Sequence, residues 1–161
     1  MALNDEHLVR ALGDALRARA WRLAVAESCT GGLVAAACTG LAGSSDWFER
    51  GVVTYSNEAK IELLGVPAAL IATDGAVSEA VARAMLEGLL RRAPVQLALA
   101  VTGIAGPGGA VPGKPVGTVW LAWGTAQAMH SECLQLGGDR AAVRAASVAA
   151  ALLRLLRSAT S

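Results

Sequence analysis

Leucines 8, 12 and 16 recur at i, i+4 and i+8 behind a capping Asn4, which predicts an amphipathic helix over 5–19. A short apolar strand, 22–26, follows, then a small-residue helix over 32–39. The β-rich stretch 51–55 predicts a second strand. A short helix over 57–64 is closed by Gly65, with Pro67 beyond it. Ser78 caps a longer helix carrying Val81, Met85 and Leu89, and Pro94 ends it. Residues 95–101 are almost continuously apolar, as a central strand buried on both faces should be. Segments 116–123 and 129–136 flank a turn at 124–127 and predict a hairpin. Gly137, Gly138 and Asp139 open a terminal helix with Val148, Leu152 and Leu155 on one stripe. Strands alternating with helices indicate an α/β domain of three layers, and the late hairpin makes its sheet mixed. With no repeat or linker, a single domain is expected over 1–161.

Composition narrows the function. The net charge of +1 provides no global field for nucleic acid or anionic lipid. Aromatic residues at 4% are too sparse for a base-stacking platform. The longest apolar candidate, 141–156, is interrupted by Arg144 and Arg154, so no membrane span is expected. Acidic Asp5 and Glu6 stand where a secretory signal would be basic, and a cytoplasmic protein is expected. Cys29, Cys38 and Cys133 are odd in number and lack C-x-x-C spacing, which argues against a disulfide framework or a structural zinc site.

Polar and glycine-rich segments fall at strand ends: 27–32 after the first strand, 56–57 after the second, 102–114 after the third. If these strands are parallel, the loops converge on one rim, where open α/β sheets bind ligands. Candidate nucleophiles are Ser28, Cys29, Thr30, Ser44, Ser45 and Thr102. The two histidines, His7 and His130, lie far along the chain, so a Ser-His-Asp triad is disfavoured. A deprotonated lysine can replace histidine, and only Lys60 and Lys114 are available. Lys60 falls in the first turn of a helix, where the positive helix end and burial would both lower its pKa. The competing reading is a solvent-exposed lysine. Cys29, flanked by small residues, reads as an inert buried thiol.

Arg140 follows Asp139 at the start of the last helix, and Arg144 lies one turn on. They read either as an anion site beside free N–H groups or as a solvated face. The loop "TGIAGPGG" supplies backbone N–H groups suited to a phosphate or an oxyanion. Residues 108–114 match G-x-x-x-x-G-K, but Pro115 follows where a phosphate-binding P-loop needs Ser or Thr, and this excludes a nucleoside triphosphatase. Trp47 and Phe48 could help to bury the site.

The segments "AESCTGG", "AGSSDWFERGVVTYSNEAK", "LGV", "GAVSEAVARAM", "AVTGIAGPGG", "KPVGTVW" and "GDRAAVR", in this order, resemble the CinA C-terminal domain family, including its stand-alone nicotinamide-nucleotide amidohydrolases. The resemblance runs from about Ala24 to Arg144. It implies an α/β/α sandwich with a mixed, mostly parallel central sheet, and a homodimer. It also implies a metal-free, cofactor-free hydrolase that converts nicotinamide mononucleotide to nicotinate mononucleotide and ammonia. The family's serine–lysine machinery with its accessory tyrosine falls on Ser28, Ser45, Tyr55 and Lys60, with Ser45 favoured as nucleophile, Ser28 as proton relay and Ser44 as a rival. Thr102 and Arg140 match further functional positions. Substrate contacts are expected from Glu27, Thr30, Gly31, Ser44, Thr102, Gly103, Gly106, Gly108 and Arg140, with the phosphate on the 103–109 loop and Arg140. Glu27 could anchor a ribose hydroxyl or cap the next helix. The competing expectation is a non-catalytic pyridine-nucleotide-binding module linked to competence or DNA damage.

Overall fold

The computed structural model describes residues 4–161. Five strands form one sheet in the order β2-β1-β3-β4-β5: β1 Leu23–Glu27, β2 Phe48–Val53, β3 Leu97–Gly103, β4 Thr118–Gly124 and β5 Met129–Gln135. β1 pairs parallel with both β2 and β3. β4 is antiparallel to β3 and to β5. Four of the five strands therefore point one way, and β4 alone runs back. The chain belongs to the α/β class, with a mixed, mostly parallel sheet.

The central strands alternate in side-chain size, and this sets the layers. Leu23, Val25, Leu97, Leu99, Val101 and Leu121 face α1 (Asp5–Arg19), α2 (Leu33–Thr39) and α6 (Arg140–Thr160). Ala24, Ala26, Ala98, Ala100 and Ala122 face α3 (Asn57–Leu64), α4 (Ala68–Asp74) and α5 (Glu79–Arg92). The run at 95–101, almost continuously apolar in sequence, thus presents from Leu97 onward a leucine-and-valine face and an alanine face, as period-2 geometry requires. The alanine face lets Met85, Leu86 and Leu89 of α5 approach the sheet closely. Between α3 and α5, a Cβ on Gly88 would fall 1.9 Å from the Leu64 carbonyl oxygen, so this crossing admits only glycine.

Asn4, Ser56, Ser78 and Asp139 cap α1, α3, α5 and α6 through their side chains. The second strand begins at Phe48, three residues before the sequence expectation, and ends at Val53. A 3-10 turn at Ser44–Asp46 and helix α4 carry no sequence expectation; Pro67, read only as a residue beyond a helix end, is the N-cap of α4. No helix among the described residues is long and apolar enough to cross a membrane.

Candidate active site

Because β1, β2, β3 and β5 share a direction, their C-terminal ends share one rim. Ser28 leaves β1 there, Tyr55 leaves β2, Thr102 and Gly103 end β3, and Asp139–Arg140 start α6 just beyond β5. A polar cavity of about 180 Å³ is lined there by Ser28, Cys29, Tyr55, Lys60, Thr102 and Arg140, together with Ala76 and Val77 ahead of α5. A larger, more apolar cavity of about 680 Å³ adjoins it across Ala105 and Arg140.

Lys60 is the fourth residue of α3, and its N–H bonds to the Ser56 carbonyl. Only 1% of the residue is exposed, which excludes the solvated-lysine reading. Its Nζ donates to the carbonyls of Thr54 (2.9 Å) and Tyr55 (3.3 Å) and lies 3.0 Å from Ser28 Oγ. Two of its three tetrahedral positions thus face groups that can only accept. The third faces a hydroxyl that can accept from an ammonium or donate to an amine. Loss of the proton therefore breaks no hydrogen bond: Ser28 O–H turns to donate to the nitrogen lone pair. Burial holds the amine below its ordinary pKa of 10.5, while the neighbouring Cys29 acts in the opposite sense. Desolvation, rather than the helix end, is the dominant cause.

Cys29 itself is buried, and desolvation pushes its thiol up to about 11, so it is protonated and unreactive at neutral pH. Tyr55 reaches the lysine through its backbone carbonyl; its side chain is 60% exposed and its hydroxyl accepts from Arg140 (3.2 Å). Arg140 also donates to the Gly106 carbonyl (2.8 Å), which ties the glycine-rich loop to α6. Thr102 is buried and donates to the Ala76 carbonyl (2.9 Å). Gly103 must be glycine, because a Cβ would sit 2.7 Å from Val119 Cγ2 and 3.1 Å from Cys29 Sγ. Gly106 adopts φ +81°, and Gly108 faces open space.

Several expected site residues lie elsewhere. Ser44 and Ser45 precede β2, at the opposite end of the sheet, where Arg17 of α1 holds Gly43 and Asp46. The five residues of β1 separate that end from Ser28, roughly 16 Å at ~3.3 Å per residue. Trp47 is buried at that same end against Gly13 and takes no part in the cavity. Glu27 is buried and fully occupied. Its carboxylate accepts from Thr30 Oγ1 (2.6 Å) and from the N–H groups of Val34 (2.9 Å) and Ala35 (3.0 Å), so it caps α2 rather than a ribose. Thr30 is thereby buried against Glu27 and lines neither cavity, and Gly31 is a turn residue at φ +56°. Arg144 donates to the carbonyls of Cys29 (3.1 Å) and Thr30 (3.3 Å) at the edge of the larger cavity, so it is neither a solvated face nor a cation held free for an anion. Ala76 and Val77 have no chemical signature in sequence; only the topology brings them to the rim.

A family profile described as CinA C-terminal domain matches residues 5–159. The chain is 50% identical over 153 residues to a protein named nicotinamide-nucleotide amidohydrolase PncC from Pseudomonas putida, covering 95% of this chain and 96% of that one. The protein of the same name from Escherichia coli K12 is 50% identical over 147 residues, covering 89% and 88%. A CinA-like protein of Syntrophobacter fumaroxidans is 50% identical over 157 residues, and the chain spans 37% of its length. A solved CinA superfamily protein from Klebsiella pneumoniae superimposes with a TM-score of 0.94 at 40% identity, covering 98% of this chain and 99% of that one.

Proposed function

The chain belongs to the CinA C-terminal domain family, and from that premise we propose that it is an amidohydrolase that converts nicotinamide mononucleotide to nicotinate mononucleotide and ammonia. The observation that carries the reading is the buried Lys60 amine 3.0 Å from Ser28 Oγ at the rim of the sheet. A binding module has no use for a desolvated base held against a hydroxyl. Ser28, rather than the distant Ser45, is therefore the nucleophile.

The neutral Lys60 amine accepts the Ser28 proton as Oγ attacks the carboxamide carbon. The resulting ammonium returns that proton to the leaving nitrogen, and ammonia departs as the C–N bond breaks. A water molecule, deprotonated by the amine, then attacks the ester carbon on Ser28. The carboxylate leaves and Ser28 recovers its proton. General base help of this kind contributes on the order of 10²- to 10⁴-fold. Arg140, with two of its five N–H donors on Gly106 and Tyr55, offers the rest to the substrate phosphate across the larger adjoining cavity. Tyr55, over the cavity mouth, holds that guanidinium in place.

The reaction needs no metal in this scheme. Among the described residues no group of three His, Cys, Asp or Glu side chains is placed to hold an ion. The test is ammonia release from nicotinamide mononucleotide by purified protein dialysed against a chelator. Turnover at the undialysed rate is expected; absence of deamidation, or its loss on dialysis with recovery on adding a divalent cation, would contradict the reading. The substrate and chemistry imply a free, small-molecule partner, and the homodimer implied by the resemblance is retained as part of the proposal.

A further inference from the structure

Arg144 is a cation beside the site that the mechanism leaves without a task. It sits one turn beyond Arg140 on α6 and is half-buried. Its guanidinium grips two consecutive carbonyls directly after Ser28: Nε donates to Cys29 O and an Nη donates to Thr30 O. It borders the larger cavity, outside the polar one. The turn it grips has a defined hydrogen-bond pattern. Ser28 N–H bonds Val101 O, Gly31 N–H bonds Ser28 O, and Leu33 N–H bonds Thr30 O. The N–H groups of Cys29 and Thr30 take no oxygen acceptor among the described residues, although both residues are buried.

In a trans peptide the C=O and N–H point in opposite directions. Holding Cys29 O towards α6 therefore turns the Thr30 N–H away from α6. Holding Ser28 O on Gly31 N–H fixes the Cys29 N–H in the same manner. Cys29 lines the polar cavity beside Ser28. Gly31 keeps the approach open, because a Cβ there would stand 3.3 Å from Arg144 Nη2. We propose that Arg144 is a positioning residue for amide hydrolysis: it locks the 28–30 turn so that Ser28 Oγ stays aligned on Lys60 and the N–H of cavity-lining Cys29 faces the oxyanion that forms on attack. The role calls for a planar fork that reaches two carbonyls at once, which a lysine ammonium does not reproduce. This inference rests on Ser28 as the nucleophile.

A fluorophosphonate probe separates the two claims, since Ser28 Oγ bonds to phosphorus as fluoride leaves, through a charged geometry like that of amide attack. The labelling rate at Ser28 is read by intact mass and peptide mapping for wild type, R144Q and R144K. Both variants should label ~10- to 100-fold more slowly than wild type, as expected when Ser28 and one oxyanion donor are displaced. The pH midpoint of labelling should stay in place, because Lys60 sets it, while the plateau falls. With nicotinamide mononucleotide, kcat should fall while KM stays within about threefold. If R144Q does not fold, R144K decides, because it keeps the charge and the stem. Either folded variant labelling at the wild-type rate overturns the positioning role alone. Wild type that releases ammonia without labelling at Ser28 removes the nucleophile, and this inference with it.

Discussion

Replacing Glu27 by Gln asks whether this buried carboxylate serves the fold or the substrate. Glu27 Oε1 accepts from Thr30 Oγ1 and Val34 N–H, and Oε2 accepts from Ala35 N–H. A glutamine can keep its oxygen on the first pair, but its NH₂ then confronts the Ala35 N–H, donor against donor. One charge-assisted bond is lost, about 1.5–3 kcal/mol, and two donors are left unsatisfied. The favourable charge at the N-terminus of α2 adds about 0.3–1 kcal/mol. These contributions overlap, so a net loss of about 2–4 kcal/mol is expected. For a chain of this size that lowers Tm by about 5–15 °C. Thermal unfolding followed by circular dichroism measures the shift, and kinetics at a temperature where both proteins are folded measure KM. An unchanged Tm with a raised KM would refute the capping role and return Glu27 to the substrate.

Lys60→Met should reduce turnover ~10²- to 10⁴-fold. The wild-type rate should rise with pH as the buried ammonium loses its proton and level off before the ordinary lysine value of 10.5; a profile flat from pH 6 to 10 would contradict a titrating amine. The linked stability has a defined sign. A lysine whose folded pKa is lowered binds fewer protons folded than unfolded, so its penalty is present in full below the folded pKa and fades as pH rises towards 10.5. Arg140→Gln should raise KM at least ~10-fold, with a smaller effect on kcat, because its guanidinium is assigned to the phosphate; an unchanged KM would remove that assignment. Alkylation of the folded protein near neutral pH should modify exposed Cys133 and spare Cys29 and Cys38, whose thiols burial raises to about 11 and about 12; equal labelling read by peptide mass spectrometry would contradict their burial.

Elements whose signals are local were legible in the sequence. Asn4, Ser56, Ser78 and Asp139 each cap a helix through their own side chains, and α3 spans 57–64 as its pattern predicts. Helix α4 was not legible because Ala68–Asp74 has no polar alternation and begins at a proline that also reads as a terminator. The convergence of three strand-end loops followed from parallel pairing alone. Ser45 shows the complementary limit: the resemblance assigns it to the machinery, while the register of β2 on β1 sets it at the opposite end of the sheet from Ser28 and Lys60, which no local sequence signal shows. Arg144 reads in sequence either as an anion ligand or as a solvated face, because sequence shows its charge but not the two carbonyls it holds.

The most direct measurement is ammonia release from nicotinamide mononucleotide by Ser28→Ala and Ser45→Ala, assayed side by side on folded protein. Ser28→Ala should lose on the order of 10³-fold or more while Ser45→Ala stays within a few-fold of wild type. Substantial turnover by Ser28→Ala, with Ser45→Ala inactive, would show that the hydroxyl beside the buried amine is not the attacking group.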